Sequence, residues 1–209
     1  MITRVNDSLL AVAERRLLDR LAAVVAPRVT ADACSLAGLA GAILCCAGYA
    51  LSTLHRAFIP VAVAGVALHW CGDALDGTVA RLRGEDRPRY GFYVDHFLDT
   101  VSQILFFVGL GVSPLASMPV ALLTLVALQA LNILVLLRTV LIGEFRLSFG
   151  RLGPTEAHVA LILLGLSGFV TGPLPYVYDT LLAAGAVFLC VQTLTVGFRE
   201  ARGFRDAGA

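Results

Sequence analysis

The sequence predicts an all-α membrane protein in which six transmembrane helices follow an amphipathic helix at the membrane interface. Three observations lead to this prediction. The 209 residues are 58% hydrophobic and only 15% charged, with a mean hydropathy of +0.82, which is too apolar for an ordinary soluble domain. Uncharged stretches long enough to span a bilayer recur along the chain. All basic residues are arginines, and they collect in alternate connections between these stretches.

The first 30 residues are predicted to form a cytoplasmic amphipathic segment. Apolar residues recur there at helical spacing, opposite a charged face. The two faces are Leu10, Ala13, Leu17, Leu21 and Val24 on one side and Arg16, Asp19 and Arg20 on the other. Charges near the start of the chain leave no compact apolar core of the kind found in signal peptides. The helix is therefore expected to lie on the membrane surface, with packing against other protein as the alternative.

Six spans are predicted within a membrane domain over residues 31–199, which a cytoplasmic tail over 200–209 follows. The third and fourth spans share one long apolar stretch that is divided by glycine and proline, which interrupt helices. In chain order the predicted spans are Leu36 to Leu54, Phe58 to Arg81, about Tyr90 to the Gly111–Pro114 break, Pro119 to Leu137, Ala157 to about Gly172, and Thr180 to Phe198.

The arginines also orient the predicted bundle. Six spans place the arginines of the N-terminal segment, the second-to-third loop, the fourth-to-fifth connection and the tail on one side, and leave Arg56 on the other. The positive-inside rule puts the arginine-rich side, with both termini, in the cytoplasm of a cell (inner) membrane. A net charge of +1, without a basic surface interleaved with aromatic residues, gives no reason to expect a nucleic-acid partner.

Four aspartates are the candidate chemical groups: Asp73, Asp76, Asp95 and Asp99. An ionised aspartate at the centre of a membrane helix costs roughly 2.5–3.5 kcal/mol, so a cationic partner is expected. Asp73 and Asp76 share a face of the second helix, and Asp95 and Asp99 share a face of the third. Because a short loop joins these antiparallel helices, the four carboxylates should converge. Oxygen ligands without histidine or thiolate suit Mg²⁺ or Mn²⁺, with Ca²⁺ as an alternative, and four carboxylates could hold two ions.

The aspartates belong to a longer pattern. The stretch Asp73-Ala-Leu-Asp76-Gly77-Thr-Val-Ala80-Arg81, followed by Gly91-Phe-Tyr-Val-Asp95-His96-Phe-Leu-Asp99, resembles the signature D-x2-D-G-x2-A-R-x8-G-x3-D-x3-D of the CDP-alcohol phosphotransferases. All eight fixed positions are present. Nine residues rather than eight separate Arg81 from Gly91, and the extra residue falls in a turn-like loop that absorbs an insertion at little cost.

This resemblance implies a membrane enzyme of phospholipid synthesis that transfers a substituted phosphoryl group from a CDP-linked alcohol to a hydroxyl acceptor and releases CMP. It implies that Asp73, Asp76 and Asp95 bind metal, and that Asp99 is the general base and also touches a second metal ion. The nucleotide would be bound near Gly77, Ala80, Arg81 and Gly91, since glycine lets a ligand approach the helix backbone and arginine can reach a phosphate.

A second resemblance concerns the loop that leads into the fifth predicted span. The stretch from Gly143 to Glu156 is similar to the corresponding loop of the eukaryotic choline and ethanolamine phosphotransferases, where a Thr-Glu pair enters the next helix. Asp95-His96 followed by Asp99 resembles their D-H-G-L-D motif, with Phe97 in place of glycine. This implies that Glu156 and His96 bind or deprotonate the acceptor. The alternatives are an acidic residue that stabilises a helix start after Pro154, and a histidine one residue off the metal-binding face.

The segment before the first span resembles the corresponding segment of the same family. Asp32 and Ser35 stand near positions where the family has T-P-N-x-x-T, which implies contact with the nucleotide, although helix capping explains both residues equally well. Three histidines are interpreted as ordinary packed or interfacial residues: His55, His69 and His158. The five cysteines show no C-x-x-C spacing and are interpreted as small apolar residues.

The substrates stay open at this point. CDP-diacylglycerol with a small polar acceptor is one option, and CDP-choline or CDP-ethanolamine with diacylglycerol is the other. Four arginines could bind an acceptor phosphate or could only satisfy the positive-inside rule: Arg138, Arg146, Arg151 and Arg199. The alternative function is an ion-coupled transporter or a structural membrane protein with the same carboxylates, although the chain lacks the internal repeat usual in transporters. The lipid bilayer is an expected partner, and self-association into a homodimer is left open.

Overall fold

Seven α-helices make up most of the chain in the computed structural model, which describes residues 3–146, 148 and 151–207. They are α1 (Ala11–Val25), α2 (Ala31–Leu51), α3 (Ile59–Arg83), α4 (Pro88–Val112), α5 (Met118–Ile142), α6 (Pro154–Thr171) and α7 (Pro175–Ala207), with one 3₁₀ turn at Arg56–Phe58 before α3. The predicted all-α class is confirmed. Helices α2 to α7 correspond in order to the six predicted spans.

Five of these helical stretches are long and apolar enough to cross a membrane: Ala31–Leu51, Arg56–Arg83, Met118–Ile142, Pro154–Thr171 and Pro175–Asp206. Helix α4 is not among them, because its first half carries Asp95, His96 and Asp99. Six membrane crossings therefore stay a prediction, and so does the orientation of the bundle.

Some helix ends differ from the predicted ones. Helix α2 begins five residues earlier, at Ala31, because Thr30 caps it by accepting a hydrogen bond from the Ala33 N–H at 3.2 Å. Helices α6 and α7 begin at Pro154 and Pro175, since proline has the backbone angle that suits the first helical turn. Helix α7 also continues to Ala207, so most of the predicted tail is the last part of that helix.

A small β-ribbon was not predicted. Strands β1 (Thr3–Val5) and β2 (Glu144–Arg146) pair in parallel, with Thr3 opposite Glu144 and Val5 opposite Arg146. Two further bonds extend this connection, since the N–H of Asp7 donates to Ser148 Oγ at 2.9 Å and the N–H of Leu9 donates to the Arg151 carbonyl at 3.1 Å. The ribbon joins the N-terminal segment to the connection between α5 and α6.

Helix α1 packs on the bundle through part of its apolar surface. Leu18 and Ala22 are buried against Leu75 and Val79 of α3 and Cys34 of α2. Other apolar side chains of α1 stay exposed, with Leu17 at 45% and Val24 at 66%. One side of this helix therefore packs against the rest of the protein, and the contact of its exposed apolar side chains with the membrane surface stays a prediction.

Helices α2 and α3 form the closest helix pair of the bundle. A Cβ atom on Gly41 would lie 2.5 Å from the His69 backbone nitrogen, and one on Gly72 would lie 2.5 Å from the Cys34 carbonyl oxygen and the Gly38 nitrogen. Only glycine permits backbones to approach this closely, as at interfaces of small residues in membrane helices. The contact fixes the rotation of α3, and with it the direction of the aspartates near its C-terminal end.

Candidate active site

The connection between α3 and α4 brings the two halves of the aspartate motif together. Gly84 ends α3 in the left-handed conformation, with φ of +67°, and Pro88 is the first residue of α4. Arg83 ties the end of α3 to α1 by donating to the Ala26 carbonyl at 2.8 Å, and it also donates to Glu85 at 2.9 and 3.0 Å. The hydrogen bonds from Arg83 lower the pKa of Glu85 below its usual value.

Asp73 of α3 converges with Asp95 and Asp99 of α4. Each offers a carboxylate oxygen, and these three oxygens lie within 4.8 Å of one another. No arginine of the described residues forms an ion pair with any of the three. Three partly buried carboxylates without a cationic side chain require a counter-charge, and their oxygens are the ligands that hard divalent cations prefer. The donor set therefore fits a metal ion.

Asp76 lies beside this group and has a different partner. Its Oδ2 accepts a hydrogen bond from the Ser35 hydroxyl of α2 at 2.7 Å. The sequence placed all four aspartates together, whereas the group of three closest carboxylates contains Asp73, Asp95 and Asp99. Ser35 was predicted to contact the nucleotide, and in the structure its hydroxyl donates to an aspartate of the motif. Its contact with the nucleotide stays a prediction.

A buried histidine, His69, lies next to Asp99. His69 Nε2 lies 3.8 Å from Asp99 Oδ1, and His69 is only 3% exposed. Its Nδ1 lies 3.2 Å from the Gly38 carbonyl, which can only accept, so Nδ1 carries the hydrogen. The ring packs on Phe106 and His158, with centroids 5.0 and 5.3 Å away. Sequence analysis took His69 for an ordinary packed residue, although its position four residues before Asp73 places both on one helix face.

His96 and Glu156, the other predicted acceptor-binding residues, contact structural partners. His96 Nδ1 lies 2.7 Å from the Phe92 carbonyl of its own helix, and its ring packs on Phe92 and Phe145. It also lies 3.7 Å from Asp95 Oδ2.

Both carboxylate oxygens of Glu156 accept from backbone N–H groups. Oε2 accepts from the N–H of Gly153, the N-cap of α6, at 2.9 Å, which is half of a capping box because glycine has no side chain to complete it, and Oε1 accepts from the N–H of Leu10 at 2.7 Å. Both oxygens of Glu156 are therefore engaged in contacts with the backbone. The geometry of Glu156 is that of a cap that also holds the N-terminal segment.

Three of the predicted nucleotide-binding residues, Gly77, Ala80 and Arg81, lie in the C-terminal part of α3, and Gly91 lies in the first turn of α4. A Cβ atom on Gly91 would meet nothing within 4 Å, so the surface there is open. Arg81 donates to Thr78 Oγ1 at 3.1 Å and lies beside Gly77, whereas Ala80 is buried.

Asp32 is engaged in an ion pair. One nitrogen of Arg87 lies 2.8 and 2.9 Å from the two carboxylate oxygens, and the Arg87 guanidinium stacks over the Tyr90 ring at 4.3 Å. The hydrogen bond to Asp32 raises the pKa of Arg87 above its usual value. This pair connects the start of α2 to the start of α4, next to the aspartate motif.

The comparison with protein families agrees with the geometry. The model of the CDP-alcohol phosphatidyltransferase family matches residues 28–193, which includes α2 to α6, all four aspartates and most of α7. The chain belongs to this family. A comparison with curated proteins finds no match. Membership implies transfer of a phospho-alcohol group from a CDP-alcohol donor to an alcohol acceptor, and the family is generally metal-dependent.

Proposed function

We propose that this CDP-alcohol phosphatidyltransferase is an integral membrane enzyme that uses Mg²⁺ or Mn²⁺ to transfer a substituted phosphoryl group from a CDP-alcohol to a hydroxyl acceptor in phospholipid synthesis. One observation carries the proposal. Asp73, Asp95 and Asp99 converge from two helices without an arginine partner among the described residues, inside the segment that matches the family. Ionised carboxylates this close repel one another, and a bound cation would relieve that repulsion.

The four aspartates would hold two ions, with Asp76 as a ligand beside the closely spaced three. Bound there, the cations would neutralise the diphosphate of the donor and stabilise the phosphate that leaves with CMP. The open surface at Gly91 leaves space for the nucleotide, and Arg81 lies on the same side to meet a phosphate.

Asp99 is the proposed base. The acceptor oxygen would form a bond to the phosphorus of the transferred group, the bond from that phosphorus to the CMP oxygen would break, and CMP would leave with the electron pair. Asp99 would take the proton of the acceptor hydroxyl. The His69 ring, which the bond to the Gly38 carbonyl holds in place, would limit the space open to the Asp99 side chain by contact, without a hydrogen bond to it. Glu156 and His96 remain alternative candidates for the base, but their contacts with the backbone favour a structural role.

The orientation follows from the arginines. We propose that α2 to α7 all cross the membrane, with the aspartates and both ends of the chain on the cytoplasmic side of the cell membrane. Helix α1 would lie along this surface, with Leu17 and Val24 in the headgroup region. The donor would reach the aspartates from the cytoplasm, where CDP-linked compounds are soluble or membrane-bound.

A direct experiment tests the function. Purified protein is given CDP-diacylglycerol, CDP-choline or CDP-ethanolamine with a set of hydroxyl acceptors, and CMP release is measured. We expect release with at least one pair, loss with a chelator, and recovery with Mg²⁺ or Mn²⁺. Asp95→Asn should reduce release by orders of magnitude while the protein still inserts in the membrane, because the change removes an unfavourable charge.

Asp206→Asn is the matched control, since the exposed Asp206 pairs with Arg205 near the end of α7, outside the three-carboxylate group. It should retain most activity. Absence of CMP release with every donor would refute the proposal and favour a transporter or a structural protein. If the chelator does not change the activity, the metal site is refuted but the transferase function is not.

A further inference from the structure

A cluster of three side-chain amides lies one helical turn below the aspartates. Gln103 Oε1 of α4 accepts from Gln129 Nε2 at 3.2 Å and from Asn132 Nδ2 at 2.9 Å, both on α5. Gln103 follows Asp95 and Asp99 at intervals of four residues, so the three side chains share one face of α4. Four residues of α-helix rise about 6 Å, so an acceptor held by the amides could reach Asp99 with its hydroxyl.

The cluster has unused hydrogen-bonding groups. Gln103 Nε2, Gln129 Oε1 and Asn132 Oδ1 make no hydrogen bond within the part of the chain that the structure describes, and all three side chains are only partly buried. Polar side chains within membrane helices carry a desolvation cost that hydrogen bonds between helices offset, and amide groups left without a partner there are available to a ligand. Free amide donors and acceptors beside one another match a hydroxyl group, which both donates and accepts.

Two of the four arginines that could recognise a phosphate on the acceptor, Arg138 and Arg146, have carboxylate partners of their own, whereas Arg151 and Arg199 are exposed and form no ion pair with the described residues. Arg138 is buried, with Nε 2.6 Å from Glu200 Oε1 and Nη2 3.4 Å from Glu144 Oε1, and Arg146 Nε lies 3.0 Å from the same Glu144 oxygen. The charges of these two arginines and two glutamates thus balance. Nη1 of Arg138 makes no hydrogen bond to the described residues, so a phosphate would meet one donor there but would also approach two carboxylates. Repulsion by those carboxylates opposes a second anion.

From these two observations we infer that the acceptor of this enzyme is a hydroxyl compound without a phosphate group, and that Gln103, Gln129 and Asn132 bind it. The inference rests on the proposed transferase function and adds the class of the acceptor and its binding site. A soluble polyol and a membrane-borne diacylglycerol share this chemistry.

Matched acceptor pairs test the class with the wild-type enzyme. With each CDP-donor, CMP release is compared for glycerol against glycerol 3-phosphate and for myo-inositol against myo-inositol 1-phosphate, with diacylglycerol in a third arm. We expect release with a phosphate-free acceptor, and the active arm identifies the polyol or the glyceride. Preference for a phosphorylated member overturns the inference and leaves the transferase function intact. No release in any arm overturns the proposed function, and this inference with it.

Variants test the site. Gln103→Leu and Asn132→Leu should each raise the KM for the acceptor about 3- to 10-fold, the loss expected for one neutral hydrogen bond, with the donor KM and the Mg²⁺ requirement unchanged. Gln192→Leu on α7 is the control, because no hydrogen bond among the described residues joins Gln192 to the cluster. If both cluster variants lower thermal stability but leave the acceptor KM unchanged, the amides only join α4 to α5 and the assignment of the site is overturned.

Discussion

The repulsion among Asp73, Asp95 and Asp99 gives a prediction that is independent of the substrates. Asp73→Asn keeps the size of the side chain and removes one charge from the group. We expect the metal-free variant to unfold at a higher temperature than the metal-free wild type, because the carboxylates repel one another without a cation. We also expect the variant to lose most of the stabilisation that Mg²⁺ gives to the wild type.

The geometry sets the magnitude. At the 4.8 Å limit of the group, one pair of ionised carboxylates repels by about 3.5 kcal/mol at an effective dielectric constant of about 20. Asp73 takes part in two such pairs. Protonation of one carboxyl group relieves much of this repulsion, so a net gain of about 2 kcal/mol is expected near neutral pH. For a chain of this length that gain corresponds to roughly 4–8 °C in Tm, and it should shrink in acid, where the carboxylates are neutral.

Thermal unfolding in detergent measures both effects. Wild type, Asp73→Asn and the surface control Asp32→Asn are melted in chelator and then with increasing Mg²⁺. The control loses an exposed ion pair, which contributes at most about 1 kcal/mol, and should respond to Mg²⁺ as the wild type does. The reasoning is wrong if Asp73→Asn in chelator is no more stable than the wild type. It is also wrong if Mg²⁺ raises the Tm of the variant as much as it raises the Tm of the wild type.

Three further predictions concern packing, capping and topology. Gly72→Ala should destabilise the protein by about 1–3 kcal/mol in thermal unfolding, because its Cβ would collide with the backbone of α2, whereas Gly185→Ala, where nothing lies within 4 Å, should not. Glu156→Gln should speed amide hydrogen exchange at Leu10 and leave the Mg²⁺-induced rise in Tm unchanged; a lost response to Mg²⁺ would contradict a capping role. Reporters inserted at Gly84 and Ser113 should lie inside and outside the cell, and the same side for both would exclude α4 as a span.

The structural features that follow from periodic patterns in the sequence were predicted correctly. The order of the helices follows from apolar stretches separated by glycine, proline and arginine, and each stretch carries its own signal within about 20 residues. The approach of Asp73 to Asp95 and Asp99 follows from helical spacing and one short antiparallel connection. These inferences need only local geometry, and that is why a single sequence was sufficient.

Contacts between distant segments were not predictable in this way. Leu10 and Glu156 are 146 residues apart, and no pattern in either segment indicates that the backbone of one meets the carboxylate of the other. The three-residue strands are too short to carry an alternating signal. The amides of α4 and α5 were overlooked for a similar reason, since Gln103 becomes informative only when Gln129 and Asn132 are seen beside it.

The position of α2 extends the site beyond the two helices that carry the signature. Ser35 donates to Asp76, and one turn later the Gly38 carbonyl orients His69, which faces Asp99. Both contacts require α2 to lie against α3 at the distance that Gly41 and Gly72 allow. A larger residue at either glycine would therefore move Ser35 and the Gly38 carbonyl away from Asp76 and His69, and it would also weaken the packing of α2 on α3. The arrangement of the aspartates consequently depends on glycines that lie outside the signature, and these should be as sensitive to substitution as residues within it.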